Sequence, residues 1–155
     1  MTVAAQESVQ AIFNIDKIYV KDLSLEVPHA PKIFFEREAP KVDIGLNTEA
    51  TNLAEGQFEV VLMATVTAKI GEKVMFLFEA KQAGIFQIRN VPAEELEGIL
   101  AVTCPNILFP YIRETVSDMS VRGGFAPALL SPINFEALYQ QQKQQRAQDA
   151  ATTTH

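Results

Sequence analysis

A chain of 155 residues that is 48% hydrophobic has apolar material for one core, and 19 acidic against 13 basic side chains, a formal net charge of -6, weigh against nucleic acid or anionic lipid as its main partner. The single cysteine, Cys104, cannot close an internal disulfide; no basic-then-apolar leader opens the chain, and no apolar run nears the roughly 18 residues of a membrane span. The expectation is one soluble, cytoplasmic domain over residues 11–147, with a flexible N-terminus over 1–10, a disordered tail over 148–155 and a partner that offers a basic face.

Apolar residues at odd positions, Phe13, Ile15, Tyr19, Leu23 and Leu25, predict a long, bent first strand with Ile18 and Val20 on its other face. Val27-Pro28-His29-Ala30-Pro31 stops it, because neither proline can donate to a ladder. Phe34 and Phe35 then fall in a charged, proline-bounded loop, which can tuck one of two neighbours under and leaves the other for an outside contact. The segment after Pro31 has no tryptophan, and position 38 holds a glutamate, Glu38. Val42, Ile44 and Leu46 alternate with Asp43 and Asn47 along a second strand, Lys41 to Thr48, and Glu49 to Gly56 reads as a turn. Every even position from Phe58 to Ile70 is apolar, which predicts a third strand with one face to the core and a half-polar odd face. After a tight turn at Gly71 a fourth strand buries Val74, Phe76, Phe78 and Ala80, points Met75, Leu77, Glu79 and Lys81 outward, and resumes after a bulge or bend at Gly84.

Asn90 to Glu95 starts a helix, with Pro92 near its first turn and Glu94 and Glu95 at the positive end of the dipole. It breaks or kinks at Pro105, and Asn106 caps the piece that follows. There Ile107, Leu108, Phe109, Tyr111, Ile112 and Val116 spread over more than one stripe, so the helix has two things to pack on: its own sheet and, by expectation, a second subunit met by Leu108, Phe109, Ile112 and Val116. A helix buried within a single-subunit core fits the same pattern. Gly123-Gly124 ends it, Phe125 to Pro132 is an apolar loop, and Asn134 caps a last helix whose large apolar residues are Phe135, Leu138 and Tyr139.

Neither a phosphate loop nor a dinucleotide fingerprint occurs. His29, His155 and Cys104 fall at no metal-ligand spacing, and a nucleophilic Cys104 would have only His29 as a base. The expectation is therefore no enzyme, no cofactor and no metal, with Cys104 a buried structural thiol.

Four segments carry a family likeness: Tyr19-Val20-Lys21-Asp22-Leu23-Ser24-Leu25-Glu26-Val27-Pro28, Gly84-Ile85-Phe86, Cys104-Pro105-Asn106-Ile107-Leu108-Phe109-Pro110-Tyr111-Ile112-Arg113-Glu114 and Pro132-Ile133-Asn134-Phe135-Glu136-Ala137-Leu138. Collinear from Phe13 to Tyr139, they resemble the bacterial protein-export chaperone family SecB. The resemblance implies an α+β fold, a four-stranded antiparallel sheet with helices on one face, assembled as a homotetramer that is a dimer of dimers. It also implies an activity: holding unfolded precursor proteins without ATP and handing them to the translocase ATPase SecA, with Asp22, Glu26, Leu77 and Glu79 meeting SecA on the outward sheet face. A holdase needs adaptable apolar surface, and Phe34, Phe35, Val42, Ile44, Leu46, Phe125, Phe135 and Tyr139 are the residues expected to supply it. The rival readings are an acidic scaffold or adaptor that binds one folded basic partner, and a small enzyme using the Cys104 thiol.

Overall fold

Four strands, β1 (Ile12–Glu26), β2 (Lys41–Ala54), β3 (Gln57–Ile70) and β4 (Lys73–Arg89), pair antiparallel in the order β1-β4-β3-β2. The structure is a computed structural model and describes residues 9–153, so most of the N-terminal stretch expected to be flexible lies outside the described residues. Period-two alternation places the even residues of β3 and β4 on one face: Val60, Leu62, Ala64, Val66, Phe76, Phe78 and Phe86 are all buried there. Phe58 pairs with Phe86, Val66 with Phe78 and Ala68 with Phe76, so the two central strands present matched apolar rows to the helices.

Three strand readings are corrected. β4 is one unbroken strand through Gly84, and the glycine serves clearance instead of a bend: a Cβ there would lie 2.7 Å from Phe86 Cε2 and 3.3 Å from Leu108 Cδ2. In β1 the pairing with β4 shifts between Ile15 and Lys17 and again between Val20 and Asp22, and smaller irregularities fall at the start of β4, where Lys69 pairs with Val74 next to Ala68 with Phe76, and at the end of β2, between Asn52 and Ala54. Each extra β1 residue reverses the alternation, so Phe13, Ile15, Ile18, Val20, Leu23 and Leu25 share the helix-side face, and Tyr19 points outward instead of inward. β2 continues through Glu49 to Ala54, where a turn was expected, because its polar second half still pairs residue by residue with the start of β3. The actual turn is at Glu55-Gly56, with Gly56 at φ +70°.

The helical layer begins with α1 (Ala93–Gly98), widens through a π-helical turn over Ile99–Thr103 and continues as α2 (Cys104–Arg122). Pro105 cannot donate, and the wide turn accommodates it: Cys104 N–H reaches back five residues to Ile99 O. Asn106 is thus inside α2 and caps nothing. The helix packs mainly on β4 and β3. Leu108, Phe109, Ile112 and Val116, expected to meet another subunit, are 0%, 7%, 0% and 1% exposed against the chain's own core. The α2 side that faces out carries Asn106, Pro110, Tyr111, Arg113, Glu114 and Asp118. The apolar excess was therefore one broad buried face, not two.

Gly124, at φ +91°, follows α2, and residues 125–134 lead to α3 (Phe135–Thr152). Asn134 caps α3 as expected, its side chain accepting from Ala137 N–H at 2.9 Å. α3 runs on through Gln148 to Thr152, so the boundary read from composition at 148 falls inside a helix. Its Gln- and Ala-rich stretch is fully exposed yet has good helix propensity.

Candidate functional site: an open apolar groove and an acidic sheet face

The helices cover β3 and β4 and leave the two edge strands partly bare. On β2, Val42 and Ile44 are each 43% exposed and Leu46 is half-buried, all on the helix side. The start of α3 buries Phe135 and Tyr139 and leaves Leu138 exposed. Between α3, the π-helical turn and β2 lies a groove of about 290 Å³, lined by Leu46, Thr48, Ala50, Leu100, Ala101, Phe135, Leu138 and Tyr139. Arg146 and Glu97 close one rim with a 2.9 Å ion pair, and Lys143 sits 5.1 Å over the Tyr139 ring. Phe109 packs edge-on to Phe135 at 6.0 Å and anchors the base of α3 to the core.

A second aromatic group stands at the Val42 end of the same strand. Val42 pairs with Ala68 and Ala68 with Phe76; Phe76 lies 4.8 Å from Phe125, which stacks at 5.4 Å on Phe34. The tucked residue of this loop is Ile33, 1% exposed, while Phe34 is half-exposed and Phe35 is 82% exposed. Phe34, Phe125, Val42, Ile44, Leu46, Phe135 and Tyr139 thereby line one track along the helix side of β2. Val42 to Thr48 alone spans about 20 Å of it. Phe35 points into solvent beside that track. Leu100 and Leu138 of the groove were missed as site residues. Leu138 follows Phe135 by three, a helical spacing that was there to be read; Leu100 carried no such signal.

The opposite sheet face is mixed: Glu59, Thr65, Glu79 and Lys81 lie among Val61, Met63, Leu77 and Ile85. Register brings the outward residues of β1 and β4 side by side: Glu26 faces Leu77, Ser24 faces Glu79 and Asp22 faces Lys81. Asp22, Glu26, Leu77 and Glu79 thus form one patch on adjacent strands, with the acids exposed and Leu77 half-buried. Beside it, Tyr19 OH donates to Glu59 across β4, over the buried Ala83, and Lys21 Nζ reaches Glu59 Oε1 at 2.7 Å. The hydrogen bonds from Lys21 and then Tyr19 hold the Glu59 carboxyl below the usual carboxylate range. Burial first, then the Glu59 hydrogen bond and charge, push the Tyr19 phenol up to about 12. Gln82 Nε2 donates to Tyr19 O at 3.1 Å, next to the second bulge. Cys104 is fully buried, and desolvation pushes its thiol up to about 12, which leaves little nucleophilic thiolate at neutral pH.

The family described as "Preprotein translocase subunit SecB" matches residues 6–146 of this chain. The protein-export protein SecB of Methylobacillus flagellatus is 60% identical over 152 residues, covering 98% of this chain and 97% of the relative. That of Nitrosospira multiformis is 55% identical, covering 97% and 94%. Among solved structures, a Mycobacterium tuberculosis SecB-like chaperone in complex with a ChAD peptide from an antitoxin shares the fold at a TM-score of 0.65 and 21% identity, over 78% of this chain and 90% of that one. With the four-stranded antiparallel sheet, its one-sided helical layer and these matches together, the chain belongs to the SecB family.

Proposed function

We propose that this protein is a protein-export chaperone that binds unfolded precursor polypeptides in the track along β2 and releases them to SecA, without ATP and in the cytoplasm. The observation that carries the reading is the open groove: exposed Phe34, Val42, Ile44 and Leu138 and half-buried Leu46 and Phe125, with buried Phe135 and Tyr139 in the wall at its far end, bordered by charge, on a protein of net charge -6. An extended chain gains affinity there from many weak apolar contacts, each worth about 25 cal/mol per Å² buried, and no single pocket dictates its sequence. Client contacts are assigned to Phe34, Phe35, Val42, Ile44, Leu46, Phe125, Phe135 and Tyr139, with Leu100 and Leu138 added. No helix among the described residues is long and apolar enough to cross a membrane.

SecA docks, in this reading, on the outward patch of Asp22, Glu26, Leu77 and Glu79, where an apolar residue beside the Glu26 and Glu79 carboxylates, with Asp22 further along opposite Lys81, suits a basic partner and charge accelerates encounter. Self-association into a homotetramer uses the apolar surface that the fold leaves bare, the row Phe13, Ile15, Val20 and Leu23 on β1 and Tyr111 on α2, each between 38% and 49% exposed.

The test is a pull-down with a reduced, unfolded precursor and its folded form. A holdase retains the first and ignores the second; equal retention would favour the adaptor reading. In parallel, Asp22→Lys with Glu79→Lys should weaken SecA binding and flatten its salt dependence while client retention and assembly mass stay unchanged. Undiminished SecA binding at low and physiological salt would move that site elsewhere.

A further inference from the structure

Lys21 is the extra residue of the second β1 bulge: Val20 pairs with Gln82 and Asp22 with Lys81, and the register skips the lysine between them. The bulge that turns Asp22 outward therefore brings a cation to the same face, next in sequence to an acid of the outward patch. An ammonium resting on that acid would cancel it. The side chain turns the other way. Its Nζ lies 2.7 Å from Glu59 Oε1, and Glu59 pairs with Ile85, four residues along β4 from Lys81 and on the side away from Glu79 and Leu77. Four residues of strand span about 13 Å. Among the described residues Glu59 takes Lys21 and not Lys17, although Lys17 stands in its own row, opposite Ile85.

The receiving carboxylate is held in place. The Glu59 side chain is 14% exposed, Tyr19 OH donates to its other oxygen, and the buried Gln82 donates to Tyr19 O just before the bulge. The same hydrogen bonds keep Glu59 charged at neutral pH.

We propose that Glu59 is a positioning residue for partner docking: without touching SecA, it draws the Lys21 ammonium out of the patch of Asp22, Glu26, Leu77 and Glu79 and so keeps that patch acidic. This inference rests on the docking reading above and says how the fold keeps a cation off that surface. One unit charge released a few Å from the docking acids changes the affinity for a basic partner about fivefold at low salt, and less where counterions screen it.

The test measures SecA affinity at low and physiological salt for the parent, Glu59→Gln, Glu59→Gln with Lys21→Gln, and Glu59→Gln with Lys17→Gln, each of native circular dichroism and unchanged assembly mass. Glu59→Gln is expected to bind about fivefold more weakly at low salt and to retain unfolded client as the parent does. Removing Lys21 as well should return affinity to within about twofold of the parent, although the clamp is then gone altogether. The Lys17 double variant has the same net charge but keeps the loosened Lys21, and it should stay weak. Where Glu59→Gln loses its native spectrum, Glu59→Asp replaces it in every variant, because its carboxylate draws back from Lys21 by one methylene. Unchanged affinity in the single variant overturns the proposal. So does a Lys21 double variant as weak as the single, since the clamp then acts only by holding β1 in shape. Equal rescue by Lys17→Gln overturns it too, since only the net charge of the face then counts. Each of these results leaves the docking reading standing. A parent that does not bind SecA, or an Asp22→Lys, Glu79→Lys protein that binds it undiminished, removes that reading and this proposal with it.

Discussion

Gly84 of β4 lies directly beneath Leu108 of α2, so close that a Cβ on the glycine would sit 3.3 Å from Leu108 Cδ2 and 2.7 Å from the Phe86 ring. The helix rests on the sheet where the sheet has no side chain. Gly84→Ala should force Phe86 or α2 to shift and cost about 1–3 kcal/mol, measured as a lower urea midpoint at unchanged slope. An unaltered midpoint would show slack between helix and sheet that this packing does not allow.

Burial of Cys104 gives stability a defined dependence on alkaline pH. Its thiol moves from an ordinary 9.0 up to about 12 by desolvation. The unfolded chain therefore loses that proton near pH 9 while the native protein keeps it, and stability falls as pH rises through this window, by up to about 1.4 kcal/mol per pH unit. Cys104→Ala should remove this slope relative to the parent; Tyr19, raised to about 12, contributes in the same direction above pH 10. At neutral pH a disulfide reagent should label the native thiol far more slowly than the urea-unfolded one; rapid native labelling would revive the thiol-enzyme reading.

Glu59 predicts the opposite sign at the acid end. Its native pKa is depressed by Lys21 and Tyr19, so the stability it supplies is present above the ordinary glutamate range and is lost as pH falls through its native value. Glu59→Gln should cost on the order of 1 kcal/mol at pH 7, and the gap to the parent should close on acidification below about pH 4. A gap that persists in acid would mean that packing, not charge, holds the outward clamp on β1.

The cap of α3 should matter locally. Asn134→Ala deletes the acceptor for Ala137 N–H at a cost of about 1 kcal/mol. We expect faster hydrogen exchange in the first turns of α3 and weaker client retention, because Phe135 and Tyr139 are held at one wall of the groove by that turn. Unchanged exchange there would place the anchor of α3 in the Phe109–Phe135 contact alone.

Two substitutions on α2 separate folding from assembly. Leu108→Asp puts a charge where the side chain is 0% exposed and should leave the protein insoluble or unfolded. Tyr111→Asp, on the 46% exposed side, should preserve the circular dichroism spectrum and lower the mass seen by light scattering. A Tyr111→Asp protein of unchanged mass would restrict self-association to the β1 row.

Strong alternation made β3 and the middle of β4, from Phe76 to Ala80, legible, because both are central strands with one face on the core; at the start of β4 a register shift pairs Val74 with Lys69 and turns Met75 to the core, the reverse of the alternation reading. The Asn134 cap was legible because capping is local chemistry. β1 misled where the bulges after Ile15 and Val20 each flipped the alternation, so Tyr19 read as core and Val20 as its opposite. Nothing in single-residue periodicity marks a bulge of this kind. α2 misled differently: Leu108, Phe109, Ile112 and Val116 fill one broad face over a sheet with a glycine gap, and a count of apolar residues cannot tell that from two faces. Asp22, Glu26, Leu77 and Glu79 were assignable to outward faces by spacing alone, but their meeting in one patch depended on β1 pairing with β4, which the family likeness supplied and periodicity did not.

The most direct test of the central claim is the suppression of aggregation of an unfolding model protein, followed by light scattering without nucleotide. It compares the parent with an Ile44→Ser, Leu46→Ser double variant of native circular dichroism and unchanged assembly mass. Both residues lie on the helix side of β2, Ile44 exposed and Leu46 on the groove wall, so the account predicts near-complete suppression at stoichiometric parent and a large loss in the variant, with single changes giving intermediate losses. Full suppression by the double variant, or none by the parent, would contradict the assignment of the β2 track as the site where this protein holds its clients.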